Sequence, residues 1–169
     1  GWSDVVLLER TELTAGSTWH AAGLLPLFNM SYTVGQLHKY SVDLYKRLPA
    51  ETGQDVSFHV TGNLRLATCR DRMDEYKKYC GTANTIGVPF QLISPAEVKR
   101  MWPLADVSDL KAAFHFPNDG RVNPADVAQA LARGARIGGA RIFEQTKVLG
   151  IEQRNGQVTG VRTDRGDIQ

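Results

Sequence analysis

The chain has 169 residues, 42% hydrophobic and 22% charged, with 20 Lys and Arg against 18 Asp and Glu for a net charge of +2. That length can bury one sizeable core, and ordinary aromatic, glycine and proline contents exclude a disordered tail, a collagen and a disulfide scaffold. Both signs of charge are interspersed, which argues against a nucleic-acid or anionic-membrane footprint, and no apolar run approaches the roughly 20 residues of a membrane-spanning helix.

In chain order, Gly1-Trp2-Ser3-Asp4 reads as a turn. Val5-Val6-Leu7-Leu8 is a short continuous apolar run, the signature of a parallel strand buried on both faces, and Glu9 ends it with a carboxylate. Thr14-Ala15-Gly16-Ser17-Thr18 is a loop or helix start. Val34, Leu37, Ser41, Leu44 and Leu48 fall at helical spacing and predict a helix of about four turns, stopped at Thr52-Gly53, with Gly53 suited to a left-handed cap. Phe58-His59-Val60 and Leu64-Arg65-Leu66-Ala67 read as strands across a turn at Thr61-Gly62-Asn63. Met73, Tyr76, Cys80 and Ala83 mark a second helix.

Phe90-Gln91-Leu92-Ile93 is a short strand. Ser94-Pro95-Ala96-Glu97 then carries the residues of a capping box with proline in the first turn, and Pro103 limits the helix it starts. Ala112 to Phe116 is a strand candidate, and Asn118-Asp119-Gly120 turns the chain. Asn123-Pro124-Ala125-Asp126 repeats the cap-then-proline grammar before a helix whose face is Val127, Leu131, Ala135 and Gly138. Arg141 to Glu144 and Val148 to Glu152 are strands. Asn155-Gly156 is a two-residue hairpin signal, and Gln157 to Thr163 followed by Arg165-Gly166 completes an antiparallel meander. The order predicts an α/β fold with a mixed sheet inserted.

Without a basic region followed by an apolar stretch at its start, the sequence gives no expectation of a signal peptide, and Cys69 and Cys80 lack metal spacing, so no metal site is expected and a reduced compartment is the default. Both ends read as cut, which predicts a segment of a larger protein. A buried strand ending in an acid is what a dinucleotide fold uses to hold an adenosine ribose, and Glu9 fits that role. The glycine-rich phosphate turn that belongs about 20 residues earlier would lie before Gly1. In Gly16-Ser17-Thr18-Trp19-His20-Ala21-Ala22-Gly23, small residues permit close backbone approach, and Ser17 and Thr18 offer donors to phosphate.

Leu7-Leu8-Glu9-Arg10 followed by Leu13-Thr14-Ala15-Gly16-Ser17-Thr18-Trp19-His20-Ala21-Ala22-Gly23-Leu24 resembles the second strand and flavin loop of the dimethylglycine and sarcosine dehydrogenases. These are FAD-dependent amine oxidoreductases related to D-amino-acid oxidase. The likeness continues through Thr52-Gly53, Leu64 to Thr68, Asp74-Glu75-Tyr76, Pro103-Leu104, Asp119-Gly120, Asn123-Pro124 and Gly134-Ala135-Arg136. It implies a partial FAD-binding domain of Rossmann-like, glutathione-reductase type over 1–53 and 123–169. A substrate-domain segment is then expected over 54–122.

By that resemblance Glu9 holds the adenosine ribose with Arg10 beside it. Gly16, Ser17, Thr18, Trp19, His20, Ala21, Ala22, Gly23 and Leu24 line the pyrophosphate and flavin. His20 carries the isoalloxazine covalently, and the backbone of Val148 pairs with adenine. The implied reaction is hydride transfer to flavin from the N-methyl carbon of dimethylglycine or sarcosine. The resulting iminium hydrolyses or gives its one-carbon unit to folate bound in a missing C-terminal region. Electron-transfer flavoprotein or oxygen is the implied acceptor, and the location is bacterial cytoplasm or mitochondrial matrix. The catalytic group is not identifiable in this segment. Two other readings stay open: a non-catalytic module without flavin, and an FAD enzyme of the same fold acting on D-amino acids or glycerol phosphate. Arg65 is a further candidate for a substrate carboxylate, and His59 and His115 for a substrate cavity; His38 is expected half-exposed.

Overall fold

A computed structural model describes residues 3–27, 29 and 31–169. The first two residues of the turn expected at Gly1 to Asp4 lie outside the described residues. The strands are β1 (Val6–Leu8), β2 (Leu24–Leu25), β3 (His59–Val60), β4 (Asn63–Ala67), β5 (Gln91–Ile93), β6 (Ala112–Phe116), β7 (Gly120–Arg121), β8 (Arg141–Phe143), β9 (Val148–Arg154), β10 (Gln157–Thr163) and β11 (Gly166–Ile168). The helices are α1 (Tyr32–Thr52), α2 (Arg70–Ile86), α3 (Pro95–Met101) and α4 (Pro124–Ile137), with a 3-10 helix at Gly16–His20. The chain forms two compact units: Gly1–Ala22, Leu48–Val56 and Asn123–Gln169, and Gly23–Arg47 with Ser57–Val122.

In the first unit β1 pairs in parallel with β8, Leu7 opposite Ile142. The expected burial of the Val5–Leu8 run on both faces is not met: Val5 is 42% and Leu7 44% exposed. Among the described residues β1 has one neighbouring strand, which leaves outward side chains in solvent. α4 starts as its sequence dictates. The Asn123 side chain accepts a hydrogen bond from Ala125 N (3.0 Å), and Pro124 occupies the first turn. The helix packs against β8 and the 3-10 helix. Its buried residues are Val127, Ala130 and Ala132, whereas Leu131 and Ala135, expected inside, are exposed. The helix face is chosen by small residues: a Cβ on Gly134 would stand 3.3 Å from the Thr52 methyl. β9, β10 and β11 form the expected antiparallel meander. Asn155 and Gly156 both have positive φ, as a tight hairpin turn requires.

In the second unit β4-β6-β5 is an antiparallel sheet with β6 in the centre. Alternation sends Phe114 and Phe116 to a core with Leu27, Val42, Cys80, Ala83 and Ile86, and Ala113 to another with Ile93, Val98, Ala105 and Leu110. This double burial explains the continuous apolar reading of Ala112–Phe116. α2 presents Cys80, Ala83 and Ile86 inward and ends on Gly87 in the left-handed conformation. The full capping box forms at α3, where Ser94 N donates to the Glu97 carboxylate (2.7 Å) and Glu97 N to Ser94 Oγ (3.3 Å).

Two sequence expectations change here. α1 runs 21 residues, about six turns rather than four, and buries Gly35 and Val42 while Val34 and Leu37 are exposed. A Cβ on Gly35 would collide with the Ile86 side chain, so the glycine sets which face approaches. The helix continues through Pro49 and ends with Gly53 at φ +69°, as its cap role predicts. β3 and β4 flank the turn at Gly62 but do not pair with each other: β3 pairs with β7 and β4 with β6.

Candidate functional site

The site begins at the carboxyl end of β1. Backbone pairing with the β8 side outlasts both strands. Glu9 N donates to Phe143 O (2.9 Å), Thr146 N to Glu9 O (2.8 Å) and Gln145 N to Thr11 O (2.7 Å). Residues 9–11 are therefore held against 143–146, and Val148 opens β9 two residues later. The Glu9 carboxylate accepts from Thr11 N (2.7 Å) and Thr11 Oγ1 (3.1 Å), both at Oε1. These bonds, the backbone one foremost, hold its carboxyl below the usual range, so it is ionised at neutral pH. Arg10 is exposed beside it.

The chain then turns through Thr14, which has φ +78°. Leu13 N donates to Glu144 Oε2 (3.3 Å), and the other Glu144 oxygen lies 3.8 Å from the Arg136 guanidinium. Gly16 has φ +69° and open space where a Cβ would stand. Gly16–His20 contains no buried residue, and Trp19 is 80% exposed. Ser17, His20, Ala21 and Ala22 are exposed, Thr18 is half-buried, and Ala21 N donates to Thr18 O (3.2 Å).

Glu9, Arg10, Gly16–Ala22 and Val148 thus belong to the first unit, while Gly23 and Leu24 belong to the second. There the Gly23 carbonyl accepts from Val122 N (2.9 Å), and Leu24 pairs with Arg121. Leu24, Leu25 and Pro26 line an apolar pocket of about 200 Å³ with His38, Val42 and Tyr45. His38 is half-exposed as expected, its Nδ1 lying 3.1 Å from the Pro26 carbonyl. His115 lines a different groove of about 360 Å³ with Thr61, Asn63, Met101 and Trp102, and His59 is exposed opposite Arg121. Arg65 lies near Asp119, a residue 1% exposed, and pulls its carboxyl down. Burial, the larger influence, pushes that carboxyl up.

Three residues that shape these segments carried no sequence signal strong enough to single out. Thr11 fixes the Glu9 carboxylate; an acid followed two residues later by Thr is the available cue. Thr146 is buried and joins the two strand ends. Asp119 was legible as a turn residue and as part of the family likeness, without a role of its own. Among the described residues no group of His, Cys, Asp and Glu is arranged to hold a metal ion, and no helix is long and apolar enough to cross a membrane.

The donor set suits a flavin dinucleotide. It combines an ionised carboxylate at the carboxyl end of a parallel strand, an open glycine where backbone can meet a ligand, and an exposed imidazole four residues later. The chain is 41% identical over 169 residues to the mouse mitochondrial pyruvate dehydrogenase phosphatase regulatory subunit, matching all of this chain and 19% of that protein. It is 39% identical to human mitochondrial dimethylglycine dehydrogenase, again over all of this chain and 20% of that one. The chain therefore spans about a fifth of the length of these relatives. The crystal structure of L-proline dehydrogenase from P. horikoshii superposes with a TM-score of 0.90 at 28% identity, over 99% of this chain and 50% of that one. The FAD dependent oxidoreductase family matches residues 1–169, and this chain belongs to it.

Proposed function

We propose that this chain is the part of an FAD-dependent amine dehydrogenase that holds the adenosine and flavin-loop contacts, in a protein oxidising the C–N bond of dimethylglycine or sarcosine. The observation that carries the reading is the junction at the end of β1. Ionised Glu9 is tied through its own carbonyl to the 143–148 run, in the same unit as the open Gly16–His20 turn. The likeness to dimethylglycine dehydrogenase along the whole chain supports the substrate class.

Glu9 accepts from the ribose hydroxyls, and Thr11 keeps its carboxylate charged and oriented. Arg10 stands beside it. Gly16, Ser17, Thr18, Trp19, Ala21, Ala22, Gly23 and Leu24 line the pyrophosphate and the isoalloxazine, and the Val148 backbone pairs with adenine. His20 carries the flavin through a ring nitrogen. The chemistry that FAD supplies when bound is acceptance of a hydride from the N-methyl carbon. The acceptor, electron-transfer flavoprotein or oxygen, and any folate site belong to the whole protein. The mitochondrial relatives support a matrix location for a eukaryotic source.

A second reading, a regulatory module without oxidative chemistry, is favoured by the mouse relative's name. Acid denaturation of the intact protein that contains this chain separates them. The expected result is a yellow polypeptide heavier by one FAD, with the label mapped to His20 and lost in His20→Ala. A colourless precipitate under a yellow supernatant would refute covalent attachment alone. Flavin in neither fraction would refute the flavin reading and leave the non-catalytic one.

A further inference from the structure

We infer that Asp119 is a positioning residue for the flavin site, clamping the Gly23–Leu27 run through the Leu27 amide; this rests on the flavin reading above. That run carries Gly23 and Leu24, the last two residues assigned to the cofactor. One stretch of chain holds it along its length. Val122 N donates to the Gly23 carbonyl (2.9 Å), Leu24 and Leu25 pair with Arg121 and Gly120, and Leu27 N donates to Asp119 Oδ1 (3.0 Å). β2 is only two residues long, so its ladder gives little hold by itself. The Asp119 bond is the one contact in the series made by a side chain.

Asp119 is itself anchored from behind. Its carbonyl accepts from Thr61 N (3.1 Å) and Gly62 N (2.8 Å), which fixes the backbone from which the carboxylate reaches Leu27. The side chain is 1% exposed, and its Oδ2 is buried with no hydrogen-bond partner among the described residues. Arg65 supplies the nearby positive charge. Burying an incompletely bonded acid is costly and a turn alone does not need it, so the bond it makes to Leu27 points to a further task. Fixing the direction of the run that follows the flavin loop is such a task. Asparagine retains an oxygen acceptor for the Leu27 amide; alanine does not.

The test uses the intact protein, with amide hydrogen exchange and flavin loading measured on wild type, Asp119→Ala and Asp119→Asn. In wild type the Leu27 amide is expected to exchange as slowly as that of Val122. Asp119→Ala should speed Leu27 exchange at least tenfold while leaving Thr61 and Gly62 within threefold. It should lower the flavin-to-protein ratio at least threefold and shift the visible flavin spectrum. Asp119→Asn should restore all three. An unprotected Leu27 amide in wild type overturns the clamp without any variant, should Asp119→Ala fail to fold. Faster Leu27 exchange with unchanged flavin content and spectrum overturns the positioning role while the flavin reading stands. A wild-type protein with no flavin at all refutes that reading, and the positioning role with it.

Discussion

Replacing Gly120 by alanine tests the packing of the second unit most directly. Gly120 sits in β7, the central strand of β2-β7-β3, opposite Leu25 on one side and Val60 on the other. A Cβ there would stand 2.5 Å from the His59 carbonyl oxygen, 3.3 Å from its carbon and 3.5 Å from Val60 Cα. Relaxed carbon contacts begin at about 3.5 Å, so β3 must withdraw by roughly 1 Å. The obstructing atoms are backbone and have no rotamer to escape into. Overpacking of this kind costs about 1–3 kcal/mol. At a urea slope of about 2 kcal/mol/M the unfolding midpoint should fall by roughly 1 M. Gly81→Ala is the matched contrast. Gly81 lies in α2, exposed, with nothing within 4 Å of the new methyl, so alanine should stabilise by about 0.5–1 kcal/mol. A Gly120→Ala midpoint indistinguishable from the parent would refute the close approach of β3 to β7.

Ser94→Ala removes the α3 cap and should cost about 1 kcal/mol, read as a lowered urea midpoint. Phe116→Ala deletes a fully buried ring and should cost about 3–5 kcal/mol, read as a lowered midpoint at unchanged slope. Burial raises the folded-state carboxyl of Asp119, opposed by the Leu27 amide and Arg65. A raised folded pKa means that this group's contribution is full below the unfolded carboxyl range and is lost as pH rises through the folded value. Asp119→Asn, which does not titrate, should therefore gain on wild type in denaturant titrations as pH rises out of the ordinary carboxyl range; a loss relative to wild type over the same rise would contradict the burial argument.

Most of the element order was legible because local chemistry and tertiary structure agree. The Ser94 box, the Asn123-Pro124 start, the Asn155-Gly156 turn and the Met73–Ala83 stripe each state their structure within a few residues. Pairing was less legible. Phe58–Val60 and Leu64–Ala67 flank a glycine turn and read as partners, yet Asp119 takes the Thr61 and Gly62 amides and the two strands join different sheets. The competitors that win lie far along the chain: Val60 pairs with Gly120 and Leu64 with His115. Hydrophobic spacing cannot rank a near strand against a far one.

Helix faces were legible only in part, for a related reason. In α1 Leu48 is buried as its spacing predicts, but Val34 and Leu37 point outward and Gly35 faces Ile86. In α4 Leu131 is exposed, while Ala130 is buried and Gly134 approaches Thr52. Periodicity weighs side chains by the apolar area they could bury, but close approach weighs them by what they leave out. The site shows the same contrast. Glu9 could be nominated because a strand-end acid has a known use, and the Gly16–Gly23 run because small residues admit a ligand. What keeps Glu9 charged and aimed is a hydroxyl and an amide from Thr11, and what ties its strand end to the Val148 run is the Thr146 amide. Amides are present at every non-proline residue. A sequence can therefore name the groups that would meet a cofactor, while the backbone bonds that arrange them become visible only when the chain is folded.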